Sequence, residues 1–304
     1  MKILLGVSRM EIRWTASEEQ QGQRLRQVLR QKYGLSRRQL IRLKQLTGAV
    51  IVNCLPAPLN QNLAFGDRVE ITLVEHLEQQ PPENIPLEVI YEDQYLIVVN
   101  KPAGLVSHPT KGYPDGTLAN ALSWHWQQQG EQHPARLVTR LDKDTSGLVL
   151  AAKNAWTHYR LSESEIVKKY YGITRGIPVP LAGEINLPIG RSVDSGRRGY
   201  NPAGKPALTR YWTEGTGKNL AFVRLEPVTG RTHQLRIHMA HMGCPLLDDF
   251  MYGSEEGIVG RTALHASSLE FSHPVSKQEL HFSVDLPEDM KAVVRNKIIY
   301  LTSI

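Results

Sequence analysis

Cysteine, long apolar runs and, over one stretch, acidic residues are what this 304-residue chain lacks. Its two cysteines, Cys54 and Cys244, lie far apart and make no disulfide framework. No apolar run approaches the roughly 20 residues that a membrane-spanning helix needs. The start, Met1-Lys2-Ile3-Leu4-Leu5-Gly6-Val7, has too short an apolar stretch and no cleavage site for a signal peptide, and it reads as a strand. The expectation is a cytoplasmic protein with no membrane partner. Gly-x-Ser-x-Gly, phosphate-loop and dinucleotide signatures are also missing, which argues against hydrolase, nucleotidase and dehydrogenase chemistry. There is no internal repeat and no low-complexity tract.

The acid gap is local. Between Gln20 and Gly66 there is no Asp or Glu, yet Arg24, Arg37, Arg38, Arg42 and Lys44 fall there, with Arg26, Arg30 and Lys32 beside them. A solvated surface usually mixes signs, so a module of one sign points to nucleic acid or an anionic membrane. The net charge of +6 suits a polyanionic partner without identifying one. Within the gap, Leu25, Val28 and Leu29 make one apolar helical stripe. Ser36 and Gln39 have capping-box spacing and start a second helix carrying Leu40, Ile41 and Leu46. Val50-Ile51-Val52-Asn53 and Val69-Glu70-Ile71-Thr72-Leu73 read as strands.

With 41% hydrophobic residues the chain is long enough for two domains. The proline-rich, apolar-poor stretch over 76–86 reads as a hinge or linker between 1–75 (core about 20–75) and 87–304. Beyond it, Val89-Ile90-Tyr91, Tyr95 to Val99, Leu220 to Leu225 and Leu280 to Val284 read as strands. Helices are expected over Thr117 to Gln129 and around Tyr159 to Ser164.

One octapeptide, Arg140-Leu141-Asp142-Lys143-Asp144-Thr145-Ser146-Gly147, concentrates charge and hydroxyls between two apolar segments. A charged turn capped by Gly147 accounts for it taken alone. A polar loop on a rigid scaffold is also where catalytic groups sit. Two further segments decide between these: Lys168-Lys169-Tyr170-Tyr171-Gly172, and Thr229-Gly230-Arg231-Thr232-His233-Gln234-Leu235-Arg236 running on through Gly243 to Tyr252-Gly253.

With the runs Asn100-Lys101-Pro102-Ala103-Gly104, His108-Pro109, Gly116-Thr117-Leu118 and Leu264-His265-Ala266, these motifs resemble the RluA-type pseudouridine synthases from about Leu87 to Pro287. The resemblance implies an α+β fold whose catalytic domain is a mixed, mainly antiparallel sheet flanked by helices and loops. The elements Arg24-Leu25, Leu35-Ser36-Arg37-Arg38, Gly48 to Asn53 and Gly66-Asp67 resemble the S-four type RNA-binding module, a small α/β unit. That module usually carries an acidic residue where this chain has Arg26.

The implied reaction detaches a uracil from its ribose in structured RNA, turns it and rejoins it through carbon 5. Nothing is oxidised or reduced, so no cofactor is expected. The family's catalytic aspartate matches Asp142, and Asp144 falls at a variable position. An ordinary aspartate is ionised at neutral pH, as a nucleophile must be. Attack at the anomeric carbon and attack at carbon 6 of the base both use that carboxylate. Arg236 matches the family's basic partner, with Arg231 as the alternative. Tyr170 matches the aromatic residue that stacks on the target base, although a tyrosine on an apolar strand is usually core.

Arg140 matches the residue that fills the space left by the extruded uridine, since a guanidinium stacks and hydrogen-bonds together. Many relatives have His where this chain has Thr139. His238, His241 and Cys244 share a helical spacing but lack a fourth ligand, so no metal is expected. His108, His265 and His273 read as structural. The expectation is a monomer acting on ribosomal RNA, slightly favoured over transfer RNA, with Arg24, Arg37, Arg38, Arg42 and Lys44 as RNA contacts. The rival is an RNA-binding ribosome-assembly factor whose catalysis is dispensable.

Overall fold

A computed structural model describes residues 7–76, 80–191, 197–253 and 256–301. The strand expected at Met1 to Val7 lies outside them apart from its last residue. The first elements are strand β1 (Val7–Thr15), helices α1 (Leu25–Gln31) and α2 (Arg37–Gln45), and strands β2 (Val50–Val52), β3 (Leu55–Pro56) and β4 (Arg68–His76). The four strands form one antiparallel sheet in the order β1-β4-β2-β3.

The helices cover this sheet because their apolar residues share a face. Leu25, Val28 and Leu29 are buried with Leu35, Leu43, Val69 and Ile71. Ser36 caps α2 as its spacing predicts: its Oγ accepts from the Gln39 N–H at 3.2 Å, and Gln39 Oε1 accepts from the Ser36 N–H at 2.8 Å. The expected stripe of α2 needs correction. Leu43 is the buried residue and Leu40 packs beside the core, while Ile41 is 49% exposed. Leu46 lies just past the helix end in extended backbone.

The rest of the chain builds an eleven-stranded sheet. Its first members are β5 (Glu88–Glu92), β6 (Leu96–Lys101), β7 (Arg136–Leu137), β8 (Ser146–Ala152) and β9 (Ile166–Arg175). β10 (Ala182–Asn186) follows, then the separate hairpin β11 (Ile189–Arg191) and β12 (Arg198–Tyr200), then β13 (Leu208–Thr216) and β14 (Leu220–Pro227). β15 (Leu264–Ser272), β16 (Glu279–Ser283) and β17 (Ile299–Tyr300) complete it. The order is β10-β13-β14-β9-β15-β8-β6-β5, with β16 on β15, β17 on β13 and β7 on β8.

Helices α3 (Leu118–Gln128), α4 (Ala155–Ser162), α5 (Gln234–His241) and α6 (Glu288–Lys297) flank it. β6 and β8 read as continuous apolar runs because both their faces are buried. Val99, Val149 and Ala151 face the core containing α3, and Val98, Leu148 and Leu150 face the opposite core with Phe271.

One pairing in this sheet is parallel, between β8 and β15, where His265 and Ala266 lie opposite Ser146 and Gly147. Gly147 has φ +114°, and a Cβ there would overlap the Ala266 backbone. Glycine at the end of the octapeptide therefore brings the two central strands together, and a cap is not its main role.

The segment over 80–86 is pinned where it is described. Gly116 N–H donates to the Glu83 carboxylate, and Asn120 Nδ2 donates to Pro81 O at 2.8 Å, which fastens the segment to the start of α3. A helix of the larger unit also packs on the smaller one. Trp156 of α4 is buried in the core of the four-stranded unit, and its indole N–H donates to the Tyr33 carbonyl. Among the described residues no helix is long and apolar enough to cross a membrane.

Candidate active site

A cavity of about 850 Å³ opens beside the centre of the large sheet, lined by the loop before β8, the start of β9 and the loop leading into α5. Asp142 lies in the first of these loops, whose backbone is gripped from several sides. Ser107 Oγ donates to Leu141 O at 2.5 Å and accepts from Leu141 N–H at 3.2 Å. Lys101, fully buried, donates from its ammonium to Pro102 O, Leu105 O and Lys143 O at 2.8, 2.8 and 3.1 Å. Arg261 donates to Asp144 O. Thr139 Oγ1 accepts from Leu150 N–H at 2.9 Å and ties the loop to β8. A carboxylate on backbone held this way is oriented before any substrate arrives.

Asp142 faces two cations or potential cations. Arg236 Nη1 donates to Asp142 Oδ2 at 3.3 Å, and His233 Nε2 lies 3.8 Å from Asp142 Oδ1. Arg236 is held more tightly elsewhere. Its Nε and Nη2 donate to the two oxygens of buried Asp249 at 2.7 and 2.8 Å, a bidentate pair. Burial opposes the charge of Arg236, but hydrogen bonding to Asp249 and the nearby Asp142 raise its pKa above the ordinary arginine value.

His233 begins α5 in left-handed backbone with φ 57°, a conformation that costs energy outside glycine. Its Nδ1 hydrogen-bonds Tyr252 OH at 2.9 Å, and that hydroxyl also lies 3.1 Å from Arg198 O. Burial, ahead of the opposing charge of Asp142, lowers the pKa of His233 and favours the neutral ring.

Tyr170 lies on β9 at the cavity wall and is 8% exposed. Burial and the charge of Asp142 both raise its pKa, so its hydroxyl keeps its proton at neutral pH. Arg140 is exposed and lines the same cavity. The sequence-selected Asp142, Tyr170, Arg236 and Arg140 therefore share one cavity. Arg24, Arg37, Arg38 and Lys44 do not reach it; they are exposed on the four-stranded unit. Arg42 departs from that group, half-buried in an apolar groove with Leu43, Leu46 and Trp156. Arg231 donates to Pro206 O, a structural contact.

The family described as RNA pseudouridylate synthase matches residues 95–241, a span that holds the Asp142 loop, Tyr170 and Arg236. A relative in Bacillus subtilis, "Uncharacterized RNA pseudouridine synthase YjbO", is 34% identical over 274 residues, 87% of this chain and 96% of that one. The chain belongs to the RNA pseudouridine synthases. "Ribosomal large subunit pseudouridine synthase D" of Vibrio parahaemolyticus is 36% identical over 301 residues, covering 92% of each chain. Its Escherichia coli counterpart is 35% identical over 308 residues, covering 94% of each. Among solved structures, human RNA pseudouridylate synthase domain containing 1 aligns with TM-score 0.60 and 26% identity over 74% of this chain and 94% of that one.

This pseudouridine synthase is thus an isomerase acting on uridine in RNA, with the α+β fold of its structural neighbours. Sequence reasoning missed Asp249, His233 and Lys101 as parts of the site. His233 and Lys101 lay inside quoted motifs, and Asp249 stands three residues before Tyr252. None of these positions announces that its side chain turns toward Asp142 or its loop. His238 uses both ring nitrogens on Thr209 Oγ1 and Leu187 O, a structural pairing. Among the described residues no group of His, Cys, Asp and Glu is placed to hold a metal.

Proposed function

We propose that the protein isomerises specific uridines of large-subunit ribosomal RNA, with Asp142 as the nucleophile. The observation that carries this reading is the relay at the cavity wall. Arg236 is shared between Asp142 and Asp249, so the more tightly bound Asp249 takes up most of its charge. Asp142 is left with one 3.3 Å contact from Arg236 and only partly neutralised, which suits a carboxylate that must attack carbon. Tyr170 offers its ring as the stacking surface for the uracil, and Arg140 fills the gap left by extrusion, which itself costs a few kcal/mol. No cofactor takes part.

The preference for ribosomal RNA rests on the names carried by the relatives that match over almost their full length. It also rests on the acid-free, basic stretch over 20–66 ahead of the catalytic sheet. We read residues 1–75 as an S-four type RNA-binding module, 76–86 as its connection and 87–304 as the catalytic domain. The exposed Arg24, Arg37, Arg38 and Lys44 serve as phosphate contacts, and Arg42 helps dock the module.

The test is pseudouridine mapping of ribosomal and transfer RNA from parent and deletion strains, complemented with the wild-type gene or with Asp142→Asn. The expected result is one or more large-subunit sites lost on deletion and regained only with the wild-type gene. An unchanged pseudouridine map would overturn the substrate. Restoration of the modification by Asp142→Asn would overturn the nucleophile. A growth or assembly defect fully rescued by Asp142→Asn, without the modification, would point to the assembly-factor role.

A further inference from the structure

The cavity is rich in cations, and most are already engaged. Arg236 holds Asp249 and Asp142, Arg210 pairs with Glu184, Arg231 donates to Pro206 O and Lys143 donates to Tyr113 OH. Among the described residues, two remain for which the structure shows no acceptor, Arg140 and Lys168. Arg140 is exposed and water can solvate it. Lys168 is different, because it is partly withdrawn from water and burial pushes its ammonium below the ordinary lysine value. A cation held in a cavity wall without a counter-charge lowers stability unless a ligand supplies the charge.

Position indicates which ligand. Lys168 and Tyr170 are two residues apart on β9, opposite Leu269 and Ala266 of β15, and both line the cavity. Side chains alternate along a strand, so the two project from the same face roughly 7 Å apart. A base stacked on Tyr170 brings its own sugar and phosphate within about that reach. A lysine ammonium is a compact point charge suited to a phosphate and indifferent to base identity.

We propose that Lys168 binds a backbone phosphate of the extruded nucleotide while Tyr170 receives its base. This rests on the reading of the cavity as the uridine site. Lys168 thereby rewards extrusion itself, because the phosphate reaches it only when the nucleotide has left the helix. It adds affinity at the catalytic cavity separately from the basic N-terminal unit.

The test compares wild type, Lys168→Met and Lys168→Arg on an unmodified large-subunit ribosomal RNA transcript. Equilibrium binding is measured at several salt concentrations, and kcat and KM at saturating and limiting RNA. For Lys168→Met the expectation is affinity reduced about tenfold to a hundredfold, as for a lost charged hydrogen bond. The slope of log affinity against log salt should flatten by roughly 0.7, with kcat retained and Tm equal to or above that of the wild type. Lys168→Arg should restore the slope. An unchanged slope in Lys168→Met overturns the phosphate contact, and so does a fall in kcat at saturating RNA with binding intact. The binding arm needs no turnover. A wild type that binds the transcript without isomerising any uridine defeats the proposed function, while the slope still decides the fate of Lys168.

Discussion

Arg236 donates two hydrogen bonds to Asp249 and one, longer, to Asp142, so the arginine is anchored by one aspartate and offered to the other. This asymmetry separates structural from catalytic loss. Asp142→Asn keeps the shape and leaves Arg236 its main partner. It should unfold in urea within about 1 kcal/mol of the wild type, as expected for one hydrogen bond, yet show no turnover. Asp249→Ala leaves a largely buried guanidinium with one weak partner and should cost about 3–5 kcal/mol of stability. Urea unfolding beside a pseudouridine assay checks both. Equal stability loss in the two variants would mean that the charge is not divided in this way.

Tyr170 should separate stacking from proton chemistry. Its raised pKa, from burial and then Asp142, makes the ionised phenolate unavailable at neutral pH. Tyr170→Phe should keep substrate affinity, whereas Tyr170→Ala should weaken binding by about 1–3 kcal/mol, the worth of one base–aromatic stack. Single-turnover rates then report on the hydroxyl: a large drop for Tyr170→Phe with KM unchanged assigns it a proton-transfer role.

His265 should make stability depend on pH. It is buried on β15 with Nδ1 at 2.9 Å from Ser146 Oγ, and burial foremost, then the charge of Arg261, lowers its pKa to about 4. The unfolded value is about 6.5. Above pH 6.5 the ring is neutral in both states and its contribution is complete. As pH falls from 6.5 toward 4 the unfolded chain binds a proton that the folded chain refuses, and stability drops by about 3 kcal/mol. Urea unfolding of wild type and His265→Asn across pH 7 to 4 should show a smaller decline in the variant. Parallel curves would rule His265 out as the group responsible.

The exposed pair Arg37 and Arg38 at the start of α2 should act only through phosphates. Replacing both with Gln is expected to weaken RNA binding and to flatten its salt dependence by roughly 0.7–0.9 per lost contact. The modified uridine should stay the same, because phosphate contacts carry no base information. Pseudouridine mapping that showed a shifted target would assign this unit a part in choosing the site.

Local patterns were legible where a short stretch of chain decides the outcome. The capping box at Ser36 and Gln39, the stripe of Leu25, Val28 and Leu29, and helix α3 all follow from spacing alone. The pattern misled where packing between units decides. Ile41 is exposed because α2 turns Leu40 and Leu43 inward, and Arg42 sits in a groove that Asn154, Ala155 and Trp156 of the other unit help to line. The stretch over 80–86 looks loose by composition, but Glu83 and Pro81 find partners at the start of α3.

By itself the sequence pointed to the family and its reaction and singled out Asp142, Tyr170, Arg236 and Arg140 as candidates, because these rest on residue types in ordered motifs. Only the tertiary structure decided what orients them. Lys101 clamps a loop more than 40 positions away, Ser107 holds Leu141, and Asp249 takes most of Arg236. Hydrogen bonds between residues far apart in sequence follow no periodicity, since strand pairing and loop closure bring their atoms together. The same holds for Gly147. Its place in the octapeptide was plain from the chain, but its reason, the backbone of Ala266 pressed against it, appears only once β8 and β15 lie side by side.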